Sequence, residues 1–221
     1  MKLSTMARTS ALSIVFSAIV VTADAAPTYR LTLIGDQPDS PEYLFPNVMD
    51  INNKGEVTVG FSTPAGMRNA VWKNGTLTPV GDLAGGNAAY STAGSINDRS
   101  DIAGTSFSDT LPSFRPYILR NGETEPEDLG TFIGPAVFAG EMNLRRQILL
   151  SVEYPSGQES YIQHGQNLTQ LLPLPGGTGY TFGLAINLWG TVVGTSENAQ
   201  GTRWCTASTR GIPAISHRRI C

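Results

Sequence analysis

Cysteine and histidine are scarce in this sequence. Its 221 residues include two Cys and two His, and 15% of the residues are charged. Cys205 and Cys221 have neither a second pair of thiols nor a cluster of imidazoles beside them, so they do not make a zinc site. In an oxidising compartment they can form a disulfide that closes the C-terminal segment; the alternative is two unpaired thiols on a frayed tail. The sequence leaves both outcomes open.

Catalytic signatures are equally scarce. His164 falls in a hairpin turn that the sequence predicts, and His217 lies beside two arginines near the C-terminus. A Ser-His-Asp relay needs one of these imidazoles, and no Gly-x-Ser-x-Gly motif marks a nucleophile. We therefore predict no catalytic, cofactor-binding or metal-binding residue.

Carboxylates on loops are the remaining candidates for catalysis. Asp36, Asp82 and Asp128 lie where the sequence predicts loop tips. Carboxylate pairs hydrolyse glycosidic bonds in many enzymes. A secreted enzyme that acts on polysaccharide with such carboxylates is therefore the alternative function.

Long apolar runs are missing beyond the N-terminus. Residues 11–21, ALSIVFSAIVV, follow Lys2 and Arg8 and precede a small-x-small triplet that ends at Ala25. A run of 11 residues is too short to span a bilayer, which takes about 20. The pattern predicts a signal peptide over residues 1–25, cleaved after Ala25, and a secreted or periplasmic protein with no membrane span. A retained N-terminal anchor is the alternative.

Positive charge is also in short supply. Removing residues 1–25 leaves 13 Lys and Arg against 17 Asp and Glu, a net charge of −4. A mildly acidic chain lacks the electrostatic footprint of a nucleic-acid-binding protein. Nucleic acid is therefore excluded as a partner, which leaves a surface polymer or a protein ligand.

Glycine and proline, by contrast, are abundant. The chain has 24 Gly and 14 Pro, and 40% of its residues are hydrophobic. This balance excludes a coiled coil and a disordered tail, and it is typical of short strands joined by many turns.

A short motif recurs through the chain. An apolar residue followed by Asn opens a turn into an apolar strand at Asn52, Asn97, Asn143 and Asn187, at spacings of 45, 46 and 44. An Asn side chain at such a place bonds its own backbone two residues on and stabilises the turn. We predict that these four residues are structural turn residues; a polar ring around a propeller channel is the alternative.

A second motif lies midway between the copies of the first. Apolar strands lead into Asn74-Gly75, Asn121-Gly122 and His164-Gly165. Asn-Gly after an apolar strand predicts a two-residue hairpin, because a type I′ turn needs positive φ at both positions. We therefore predict hairpin turns at Gly75, Gly122 and Gly165.

The repeat predicts the architecture. A unit of about 45 residues with three to four short strands is typical of a propeller blade, and one such sheet cannot cover its own apolar face without neighbours. We predict an all-β repeat array of about four units, propeller-like, either a closed small propeller or an open arc. The predicted organisation is a repeat domain at 26–204, with units at 29–48 (partial), 49–93, 94–139, 140–183 and 184–204 (partial), and an irregular basic tail at 205–221.

The order of these motifs resembles the HAF-repeat family of exported bacterial repeat proteins. The resemblance is closest from residues 69–75, NAVWKNG, through 81–86, GDLAGG, to 95–97, SIN, and it covers roughly residues 29–204. The family's His-Ala-Phe triplet is missing, since residues 69–71 read NAV. The resemblance implies an extracellular or surface-associated repeat protein and no assigned chemistry.

These observations together predict a function in binding. We expect a secreted or periplasmic binding or interaction module and not an enzyme. The motifs stop after residue 204, so a truncated, non-functional fragment of a longer array is a further alternative.

Overall fold

The described part of the protein consists of short β-strands joined by turns. The computed structural model describes residues 31–32, 34, 44–63, 66–83, 90–108, 111–130, 136–177, 179–209 and 212–216. All strands lie in one unit, Ile34–Cys221, which is distinct from Met1–Leu33. Because every regular element in these ranges is a strand, the predicted all-β class is confirmed.

The strands follow one another along the chain at short intervals. Their bounds are β1 (Leu44–Ile51), β2 (Val57–Thr63), β3 (Gly66–Lys73), β4 (Thr76–Val80), β5 (Tyr90–Ile96), β6 (Ile102–Ser108), β7 (Leu111–Leu119), β8 (Glu127–Asp128), β9 (Ala136–Met142), β10 (Gln147–Tyr154), β11 (Gly157–His164), β12 (Asn167–Leu171), β13 (Thr181–Ile186), β14 (Val192–Glu197), β15 (Arg203–Thr209) and β16 (Ile212–Ser216).

Neighbouring strands pair as antiparallel meanders. Strands β1 to β4 form one four-stranded sheet and β13 to β16 form another. The strands between them form an eight-stranded sheet in which β5–β8 and β9–β12 each run antiparallel. A single parallel residue pair, Phe114 with Ala136, joins these two groups.

The second motif lies at the hairpins. Between β3 and β4, Asn74 has φ 49° and Gly75 has φ 88°, the left-handed values that a two-residue type I′ turn needs. Gly122 also has φ 88°, but Asn121 does not have positive φ, and residues 120–126 join β7 to β8, so the second copy is a turn within a longer loop and not the predicted two-residue hairpin. In the third copy the strand continues through His164, which pairs with Asn167. The turn there consists of Gly165 and the residue after it, so His164 is the end of a strand and not a turn residue as expected.

The core lies between successive groups of strands. On β10, the buried Leu149 packs against Ile186 and Val192 of β13 and β14. Residues of β6 and β7 likewise pack against residues of β9 and β10. Since burying a large aliphatic side chain contributes about 1.5–3 kcal/mol, each group depends on its neighbour for the stability of one face.

The predicted unit boundaries differ from the sheet boundaries. Residues 49, 94, 140 and 184, where units were expected to begin, fall inside β1, β5, β9 and β13. Each Asn motif therefore occupies the turn between the first and second strands of its meander. A sequence repeat shows its period but not which strand begins a unit, which is why the predicted boundaries fall inside strands.

The C-terminal segment also differs from the expectation. An irregular tail was predicted from residue 205, but β15 and β16 extend over 203–209 and 212–216. Strand β14 supplies the pairing edge that orders β15, and Cys205 lies opposite Thr195 in that ladder. Ala25, Asp36 and Cys221 lie outside the described residues.

Gly104 on β6 is a position where the packing requires glycine. A Cβ there would overlap the Thr92 carbonyl oxygen and the ring of Tyr117, which is fully buried. At Gly140 on β9 the nearest atom to such a Cβ is the Leu149 carbonyl oxygen at 3.6 Å. We expect Gly104→Ala to lower the free energy of unfolding by about 3 kcal/mol through overpacking, and Gly140→Ala to change it by less than about 0.5 kcal/mol. Urea unfolding measures both, and equal effects would contradict the packing.

Candidate functional site

The four repeated Asn residues adopt one turn. In the first, Asn52 Oδ1 accepts hydrogen bonds from the main-chain N–H groups of Lys54 and Glu56, both at 3.0 Å. The same two bonds, to the residues two and four positions on, occur at Asn97, Asn143 and Asn187. The main chain closes each turn through the N–H of the Asn and the carbonyl four residues on.

In the first three of these turns, the side-chain amide nitrogen of the Asn has an acceptor within its own turn. It donates to the side chain four residues on, which differs from turn to turn. These acceptors are Glu56 at 2.6 Å, Asp101 at 3.2 Å and Gln147 at 2.7 Å. The requirement at this position is an oxygen acceptor and not one residue type.

The same amide nitrogen also connects successive turns. Asn52 Nδ2 donates to the main-chain oxygen of Asn97 at 3.0 Å, Asn97 to that of Asn143 at 3.4 Å, and Asn143 to that of Asn187 at 2.7 Å. We call these four residues the asparagine ladder. Its first three members are buried and Asn187 is exposed.

Glu56 bonds to three side chains from different parts of the chain. Its carboxylate accepts hydrogen bonds from Lys73 Nζ at 2.6 Å, Asn52 Nδ2 at 2.6 Å and Ser100 Oγ at 2.5 Å. Burial raises the pKa of Glu56, but the hydrogen bonds from Lys73 and its other partners outweigh that effect and lower the pKa to about 2. Glu56 is therefore a charged structural group that ties its turn to the next one.

Asp101 plays the corresponding part in the second turn. The fully buried carboxylate accepts two hydrogen bonds from Arg146 in the following turn, at 2.8 and 3.1 Å. Burial raises the pKa of Asp101, whereas the bonds from Arg146 and from the main-chain N–H of Asn121 lower it further, so the net shift is downward. Arg146, three positions after Asn143, thus bonds the carboxylate of Asp101, which lies four positions after Asn97. Ser100 and Glu56 have the same relation in the preceding pair of turns.

The ladder is open at Asn187. The residue four positions on is Thr191, and Asn187 Nδ2 donates to no acceptor in the described ranges. Around this turn we define the terminal face by its exposed apolar side chains: Leu184, Leu188, Trp189 and Val193. This end therefore combines unused amide donors with uncovered apolar surface.

The opposite end of the ladder is open as well. The main-chain oxygen of Asn52 accepts the bond from Gly55 that closes its own turn, and no Asn side chain among the described residues donates to it. We define the first face by two exposed apolar residues of β1: Val48 and Ile51. The two ends of the ladder therefore differ, one lacking an acceptor and the other lacking a donor.

Two of the loop carboxylates considered for catalysis, Asp82 and Asp128, lie in the described ranges, and neither belongs to the asparagine ladder. Asp128 forms an ion pair with Arg115 and accepts a hydrogen bond from the Gly130 N–H at 2.8 Å. Asp82 is half-buried after β4. Within the described ranges no group of three or more His, Cys, Asp or Glu side chains is arranged to hold a metal ion.

Two other carboxyl groups lie on first strands of different meanders. Burial and the charge of Asp50 raise the pKa of Glu141. Asp50 itself accepts hydrogen bonds from the main-chain N–H groups of Ile51 and Ile96, both at 2.8 Å. The Asp50 carboxylate therefore connects β1 to β5, which is a structural role.

A fifth turn of the same type was missed from the sequence. Asn198 Oδ1 accepts from the N–H groups of Gln200 and Thr202 at 3.0 and 2.9 Å, and the main chain closes as in the ladder. The Asn-x-x-Gly pattern of Asn198 to Gly201 also occurs at Asn52 and Asn187. This turn lies between β14 and β15, only 11 residues after Asn187, so it does not follow the spacing of the other four.

Comparisons with known proteins bear on the fold. No family model matches the chain, and no curated protein matches its sequence. It is similar in structure to the β-propeller domain of the Trilobed protease from Pyrococcus furiosus, with a TM-score of 0.52 and 12% sequence identity. The match covers 78% of this chain and 54% of that one, so this chain spans about half its length. Separately, the described residues contain no helix long and apolar enough to cross a membrane.

Exchanging an Asn amide for a carboxylate tests the ladder. Asn143→Asp keeps the oxygen that accepts both turn bonds but loses the donors to Gln147 and Asn187, and it buries a charge beside a carbonyl. We expect the free energy of unfolding to fall by about 3 kcal/mol. Asn187→Asp is the matched control, since its amide donates to no described group, and we expect a change below about 0.5 kcal/mol. Equal losses in urea unfolding would contradict the ladder.

The lowered pKa of Glu56 predicts a specific acid sensitivity. A folded-state pKa of about 2 against 4.5 when unperturbed contributes stability above pH 4.5 that is lost as the pH falls towards 2. The contribution is on the order of 2–3 kcal/mol. We expect Glu56→Gln to be less stable than the wild type at pH 7 and to approach it at pH 2. Glu125→Gln, at an exposed position, is the control; a constant difference across this pH range would argue against the role of Glu56.

Proposed function

We propose that this protein is an exported β-repeat protein that acts as a binding or interaction module without catalytic activity. Its signal-like N-terminus supports export to the periplasm or the exterior, and its motif order supports a relation to HAF-repeat proteins. Its ligand is a surface polymer or a protein.

The observation that carries the proposal is the terminal face. Exposed large apolar side chains beside an exposed Asn with unused donors form a surface that can bury apolar area and make directed hydrogen bonds at once. Trp is enriched among the residues that dominate binding energy, and Trp189 stands exposed in this turn.

The carboxylates support binding over catalysis. Glu56, Asp101 and Asp128 are each engaged by a cationic side chain. A catalytic carboxylate needs a pKa near the working pH, whereas Glu56 and Asp101 have theirs lowered. These groups serve the fold.

We further propose that the repeats form an open arc of about four blades and not a closed ring. The uncovered apolar residues at both ends of the ladder support this arrangement.

Retention and turnover measured together test the proposed function. The purified protein is mixed with insoluble peptidoglycan or cellulose, and both bound protein and released reducing ends are measured. We expect retention without product, and about fivefold weaker retention for Trp189→Ala, equivalent to about 1 kcal/mol. Leu172→Ala, at another exposed position, is the control.

Two outcomes would contradict the proposal. Release of reducing ends that is lost in Asp82→Asn or Asp128→Asn would favour the enzyme. A chain that neither stays on a polymer nor associates with a protein, and that limited proteolysis degrades throughout, would favour the non-functional fragment.

A further inference from the structure

Equivalent positions in the repeat show that the end of β1 is uncovered. The residue preceding each ladder Asn faces the preceding sheet, as Ile186 does when it packs on Leu149. At this position Ile96, Met142 and Ile186 are 4%, 5% and 8% exposed, whereas Ile51 is 63% exposed. Ile51 is therefore uncovered at the edge of the first sheet, whereas Val57 and Val59 deeper in that sheet are buried and Ile34 packs against them.

The same comparison at the other end gives the complementary result. The residue six positions after each Asn faces the following sheet, as Leu149 does. Thr58, Ala103 and Leu149 are 0%, 0% and 3% exposed at this position, whereas Val193 is 47% exposed. The terminal face is the half of an inter-sheet interface that would accept one more first face.

We propose that the terminal face binds the first face of a second copy of this chain, in a head-to-tail contact that continues the asparagine ladder. This inference rests on the proposed binding function and names its partner. In the contact, Asn187 Nδ2 donates to the main-chain oxygen of Asn52 of the second copy, and Val193 packs on its Ile51.

The choice of a second copy follows from the three interfaces already inside the chain. Each joins an Asn amide donor to the next Asn carbonyl and buries the residue before the second Asn. The two unused halves of this pattern are both present in one chain, at Asn187 and at Asn52. A contact between different faces leaves each copy with one donor end and one acceptor end, so two copies close a ring or further copies extend the array.

Sedimentation velocity over a wide range of protein concentration tests this. We expect the wild-type chain to form dimers or longer assemblies. Val193→Asp and Ile51→Asp each place a charge on one face at an exposed position, so each should sediment as a monomer with an unchanged melting temperature. Leu172→Asp, outside both faces, should associate as the wild type does.

Mixing the two face variants distinguishes a head-to-tail contact from a symmetric one. The Ile51→Asp chain keeps its terminal face and the Val193→Asp chain keeps its first face. We expect the mixture to form a heterodimer through these intact faces, although each variant alone is monomeric. A mixture that stays monomeric while the wild type associates would overturn the head-to-tail contact.

Asn187→Asp isolates the ladder bond from the apolar contact. It retains the turn bonds and removes the donor, so we expect about fivefold weaker self-association, the equivalent of about 1 kcal/mol. A monomeric wild-type chain overturns the second copy as partner. If that monomer is still held on a polymer through Trp189, the binding function survives; if it is not held, both proposals fail.

Discussion

The structure depends on how a buried Asn amide satisfies its hydrogen-bonding groups. Each such side chain has one acceptor oxygen and two N–H donors, and leaving any of them unpaired in the interior costs about 1–3 kcal/mol. The oxygen closes its own turn, one donor meets the side chain four residues on, and the other crosses to the next turn. Local turn geometry and inter-sheet registry are therefore set by a single side chain, which explains why the turns recur at nearly constant spacing.

A second constraint follows from the shape of these turns. The residue three positions after the Asn is left-handed in every member of the ladder, with φ 73° at Gly55, 68° at Ser100, 60° at Arg146 and 85° at Gly190. A non-glycine residue there costs roughly 1–2 kcal/mol. Ser100 and Arg146 accept that cost where their side chains bond the carboxylate of the preceding turn. Glycine suffices at Gly55, for which the described residues contain no preceding turn of this type.

The sequence allowed the all-β class, the turns at the four repeated Asn residues and the turns at Gly75, Gly122 and Gly165 to be predicted, because turns depend on local residue types. It did not show the bonds between turns, since their partners are 44 to 46 residues apart. The acceptor position was hidden because Glu56, Asp101 and Gln147 share a chemical role and not an identity. Strands β15 and β16 were missed because β15 is ordered by pairing with β14, and the Asn198 turn that leads into β15 lies outside the period of the repeat.

The ends of the ladder differ in composition as well as in position. Thr191 replaces the acidic or amide side chain that would hold one donor of Asn187 inside its own turn, so both donors of that amide remain available. A Cβ at Gly190 would come within 3.1 Å of Gln147 Oε1. Because Gly190 has no side chain, its turn packs directly against the preceding turn. The main-chain oxygen of Asn187 thus accepts a hydrogen bond from Asn143, whereas the side-chain N–H groups of Asn187 have no acceptor among the described residues. A ladder whose bonds all run from amide to carbonyl has a direction, and any molecule that continues it at this end must present an acceptor beside an apolar surface.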